Sequence, residues 1–147
     1  MAKQFMFANL EYRKMDTCRS EGKVLRQIHA LLDDLKVALD ERMLPTDALT
    51  GKAALQFVIK WREKDQEYSA YIQKVSTKQD GLANNLAAIH LWLNNRCLNI
   101  RRGVETPAEA FGAHLVKGSN VPASWGDHIL GFKLKLLSEG NSNAHDR

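Results

Sequence analysis

"GKAALQFVIKWREKDQEYSAYIQKV", residues 51–75, is the stretch on which the fold turns. Its apolar residues Leu55, Val58, Ile59, Trp61, Tyr68, Ile72 and Val75 keep helical phase across the charged middle "REKDQE". The spacing therefore predicts one long helix with an exposed central turn, and leaves open a break near Asp65. No segment shows convincing period-two alternation, and no internal repeat is present, so the expected fold class is all-α.

Upstream, residues 20–43 read as a first helix. Leu25, Ile28, Leu32, Leu35 and Leu39 recur at alternating steps of three and four, with Arg26, Asp33, Asp34, Lys36, Asp40 and Glu41 on the other faces. This narrow seam suits packing inside a bundle or a short coiled coil, and it is shorter than a confident coiled coil requires. Pro45 in "MLPTD" stops the helix, because it lacks an amide donor and disfavours helical backbone at Leu44.

Downstream, "STKQ" has the spacing of a capping box, with Ser76 and Gln79 satisfying each other's free amides. The third predicted helix carries Leu82, Leu86, Ile89, Leu93, Cys97 and Ile100, and Gly103 fits the left-handed position that ends it. "TPAE" opens a short fourth helix, with Thr106 as N-cap, Pro107 at the first position and Glu109 completing a second capping box. Ala110, Phe111, His114 and Leu115 give that helix a buried side. A last helix is expected over 123–138, with Trp125, Ile129, Phe132 and Leu136 facing inward. The domain plan is an N-terminal arm (1–19), a single bundle of four to five helices (20–139) and a disordered polar tail (140–147). Two long helices fill its N-terminal half and shorter ones follow Gly103.

Composition narrows the function classes. Hydrophobic residues at 44% and charged residues at 26% are ordinary for one globular domain. A net charge of +4 and a pI near 9.1 permit contact with phosphates without demanding it. Cys18 and Cys97 form no CxxC or Cys/His ligand spacing, so two reduced thiols in a cytoplasmic protein are expected, with no disulfide and no zinc. Nothing approaches a signal h-region or a membrane span.

Catalytic motifs are thin. His29, His90, His114, His128 and His145 form no close ligand pair, and Asp33 and Asp34, as helix neighbours, point about 100° apart. "TGKAAL" at Thr50 lacks the upstream glycine of a phosphate loop. A helix-turn-helix over 106–133 would need a reading helix, yet Pro122, Ala123, Ser124, Trp125 and Gly126 offer no side chain for base edges. No cofactor, no metal, no small-molecule substrate and no enzyme activity is expected.

The end of the third predicted helix carries more. In "NNRCLNIRRG" (94–103), Asn95, Arg96, Asn99 and Arg102 join Trp92 in a polar strip opposite the apolar seam. Guanidinium forks, amide donors and an indole are the chemistry that binds a nucleic-acid backbone. Cations in the last helical turn also complement the negative helix end, and Arg101 and Arg102 fit that simpler role.

Residues 94–111, "NNRCLNIRRGVETPAEAF", resemble the tail of some transposase catalytic domains. No carboxylate triad precedes them here, so no activity is carried over. In size, helix content and mild basicity the chain is similar to the small helical subunits of CRISPR effector complexes, which implies a non-catalytic subunit contacting nucleic acid inside a larger assembly. The alternative is a protein-binding regulator or homo-oligomeric adaptor built on the heptad face of the first helix.

Overall fold

The computed structural model describes residues 11–116, so the last predicted helix, the second half of the helix-turn-helix candidate and the polar tail lie outside them. The chain is not all-α. A helix is followed by an antiparallel sheet, and the sheet by a second helix and a short third one.

Helix α1 (Glu21–Asp34) begins at Ser20, whose hydroxyl accepts from the Lys23 amide at 3.2 Å. It ends well before the predicted Met43. Lys36 takes a left-handed conformation (φ 63°), the Val37 amide donates to Leu32 and the Lys36 amide to Asp33. This is a Schellman ending with lysine where glycine is usual, which is why the sequence did not mark it. Ile28 and Leu32 of the predicted seam are fully buried, Leu25 and Leu35 pack at the margin of the core, and Leu39 lies beyond the helix and is exposed.

A 3-10 turn (Leu39–Glu41) leads to β1 (Arg42–Met43) and β2 (Thr46–Asp47). Both pair antiparallel with β3 (Lys52–Glu63) in one unbroken register, Arg42 opposite Phe57 and Asp47 opposite Lys52. They are one strand interrupted by Pro45, which has no N–H to give, although its carbonyl still accepts from Ala54 at 3.0 Å.

The predicted long helix is a β-hairpin. β3 pairs along its length with β4 (Gln66–Ser76), from Ala53 opposite Ser76 to Glu63 opposite Gln66. The two residues between, Lys64 and Asp65, both have positive φ (53° and 64°), as a two-residue hairpin turn matched to strand twist requires. Helical phasing misled because residues 53–59 are all buried. Ala53, Leu55, Phe57 and Ile59 join the core beneath the helices, while Ala54, Gln56 and Val58 are buried on the opposite face beside Tyr71. A strand buried on both faces is a continuous apolar run without alternation. The Tyr71 hydroxyl donates to Gln56 Oε1 at 2.9 Å, a buried polar contact between the strands.

Helix α2 (Leu82–Arg101) is the predicted third helix, and Leu86, Ile89, Leu93 and Cys97 are buried as its seam implied. Its start differs from expectation. Ser76 closes β4 and the N-cap is Gly81, so no Ser76–Gln79 capping box forms. Asn85, one turn inside, accepts from the Ser76 hydroxyl and the Gln79 amide and donates to the Gly51 carbonyl. The other end is as predicted: Gly103 has φ 73°, and the Val104 and Gly103 amides return to Asn99 and Ile100. Thr106 and Glu109 form the predicted capping box of α3 (Pro107–Phe111). A 3-10 turn then brings Leu115 beside Ile72, and the Val116 amide donates to Tyr71 at 2.9 Å.

Candidate nucleic-acid interface

The fold divides the predicted strip. Trp92 is half-buried, its ring edge-on to Phe111 (centroids 5.6 Å apart) and to His114 (4.8 Å). Arg96 turns toward the segment after α2: Nη1 donates to the Ala110 carbonyl at 3.4 Å and lies 3.8 Å from Glu105, while Nε is buried without a hydrogen-bond partner among the described residues. Asn99 donates to the same Glu105 oxygen at 2.9 Å. Asn95 and Arg102 are exposed, Arg102 being the C-cap. Arg101 pairs with Asp34 at 3.2 Å across α1 and α2. Trp92, Arg96 and Asn99 thus hold the α2–α3 corner, and only Asn95 and Arg102 remain freely presented.

Other elements add cations around Trp92. Lys74 of β4 sits over the Trp92 ring, 5.6 Å from its centroid, and Lys78 sits over the Tyr12 ring at 5.4 Å. Both lysines and both rings line one hollow of about 200 Å³, with Ser76 and Gln79 on its wall and no carboxylate among its described residues. Neither lysine has an ion-pair partner among the described residues. The arm is held there by Gln79, whose side chain accepts from the Met15 amide at 2.6 Å and donates to the Arg13 carbonyl at 3.0 Å.

The cations feel one another. Burial lowers the Lys74 pKa and the Arg96 charge lowers it further. Burial likewise lowers the His114 pKa, Lys74 and Arg96 add to the effect, and a hydrogen bond with the Gln73 backbone opposes it. Burial and mutual repulsion both disfavour positive charge here, and an anion placed among these groups would offset both. Sequence reading missed Lys74, Lys78 and Tyr12 because they come from a strand, a loop and an arm that only tertiary structure brings together.

Elsewhere the chemistry is sparse. Among the described residues no group of three His, Cys, Asp or Glu side chains is placed to hold a metal ion. Asp33 and Asp34 each serve a separate ion pair, Asp33 with the nearly buried Arg42 side chain and Asp34 with the exposed Arg101. Burial lowers the pKa of His29 and of His90, with Arg42 and Arg19 as the next causes. Among the described residues no helix is long and apolar enough to cross a membrane. Comparison with protein-family models, with curated proteins and with solved structures finds no match.

Proposed function

We propose that the protein is a non-catalytic nucleic-acid-binding subunit that holds a sugar–phosphate backbone at the hollow between the arm, β4 and α2. The observation that carries this reading is the pair of lysines, each seated on an aromatic ring and lacking an acidic partner among the described residues, in a hollow with no described carboxylate. Arg102, exposed at the end of α2, extends the positive surface along that helix, whereas Arg96 is engaged at the α2–α3 corner. A role as helical adaptor through the heptad face of α1 has less support, because Ile28 and Leu32 are taken up by the core.

Lys78→Ala and Lys74→Met should each weaken binding to unrelated nucleic-acid sequences to a similar degree, because phosphate contacts position a chain without reading it. Each should also reduce the slope of log K against log salt by roughly 0.7–0.9, one phosphate contact being lost. Arg101→Ala, which removes a cation already paired with Asp34, should leave the slope nearly unchanged. Absence of binding at ~50 mM salt, where phosphate contacts are strong, sinks the reading.

A further inference from the structure

Resting on that backbone-binding reading, we infer that the preferred ligand is a single strand whose bases stack on Tyr12 and Trp92 without being read. The two rings border one hollow, and each carries a lysine ammonium over its face, the position a stacked base would occupy. Entry of a base displaces the ammonium onto the adjoining phosphate, so a cation–π contact is exchanged for stacking plus an ion pair.

The hollow's polar side chains are already engaged. The Ser76 hydroxyl donates to Asn85, and both ends of the Gln79 amide hold the arm at Met15 and Arg13. Among the described residues these bonds fix the wall's amide and hydroxyl in place for the arm and α2 rather than for a base edge, and ring faces accept every base, so sequence tolerance follows. A duplex keeps its bases paired and stacked inside, and could reach the rings only by extruding a nucleotide.

The test uses the full chain and fluorescence anisotropy with four ligands of equal length: a thymidine strand, an adenosine strand, a duplex and an abasic phosphodiester strand. Both base-bearing single strands should bind about tenfold more tightly than the duplex or the abasic strand, the scale of one or two stacked bases. Tyr12→Ala, at a residue 73% exposed and so safe for folding, should erase most of that preference. Trp92→Phe should retain it, since a ring remains. Ribose and deoxyribose strands should bind within a few-fold of each other. Equal affinity for all four ligands overturns the stacking inference and leaves backbone binding intact, whereas no binding by any of them overturns both. A strong preference for one base or one sugar also overturns it, since that requires polar readout.

Discussion

The Asn85 side-chain amide donates to the Gly51 carbonyl at 2.6 Å, tying the first turn of α2 to the turn that enters β3. The same side chain accepts from the Ser76 hydroxyl at 2.8 Å and the Gln79 amide at 3.0 Å. Asn85→Leu would strand these buried partners, and should destabilise the protein by about 3 kcal/mol, as unsatisfied buried polar groups do. The midpoint of urea unfolding should fall with little change in its slope. Gly51→Ala should add a cost of about 1–2 kcal/mol of left-handed backbone strain. Gly51 has φ 75°, and a Cβ there would lie 3.2 Å from the Gly81 carbonyl carbon. A neutral Asn85→Leu would show that the contact is incidental.

Lys64 and Asp65 occupy the left-handed region without being the Asn-Gly pair that this turn favours. Replacing both, Lys64→Asn with Asp65→Gly, should stabilise the hairpin by about 1 kcal/mol, because left-handed backbone costs ordinary residues about that much. A thermal midpoint raised by a few degrees is the expected readout. A lowered midpoint would mean that the native side chains compensate for the strain.

That turn explains most of the difference between sequence and structure. Helical phasing of Leu55, Val58, Ile59, Ile72 and Val75 was coincidental, and neither Lys36 nor Lys64–Asp65 carries the glycine that would have announced a chain reversal. β-branched and aromatic enrichment in "FVIKW" and "YSAYI" was the signal that favoured strands over helix. Where the signal was local it could be read: the α2 seam, Gly103, and the Thr106–Glu109 box all depend on near neighbours. Of the strip named from helical spacing, Trp92 borders the hollow beside Lys74, while Arg96 turns to the α2–α3 corner, a contact no spacing rule foretells. Lys74, Lys78 and Tyr12 were not legible, since no spacing rule links an arm, a strand and a helix.

Leu32 is fully buried between α1 and the rest of the core. Leu32→Ala should cost about 2–5 kcal/mol, the usual range for a buried leucine that leaves a cavity. Denaturant unfolding measures it, and sedimentation at several concentrations should show no change in assembly state. Unchanged stability accompanied by loss of a dimer would assign the seam to an interface instead.

His114 is expected to set opposite pH trends for stability and for the proposed binding. Burial and the charges of Lys74 and Arg96 lower its pKa, so the unfolded chain takes up the proton more readily than the native one. The His114 contribution to stability is therefore complete above the unfolded value of about 6.5 and is lost as pH falls toward the lower native value. His29 and His90 are lowered too, mainly by burial, and act in the same direction. A phosphate beside Lys74 and Arg96 would raise the His114 pKa, so binding should draw a proton and tighten as pH drops from about 7 to about 5.5. Thermal midpoints should fall over that window while nucleic-acid affinity rises. His114→Gln should flatten the affinity trend and leave the stability trend due to His29 and His90. If the variant binds with the wild-type pH dependence, the proton is taken up elsewhere and His114 does not face the bound phosphate.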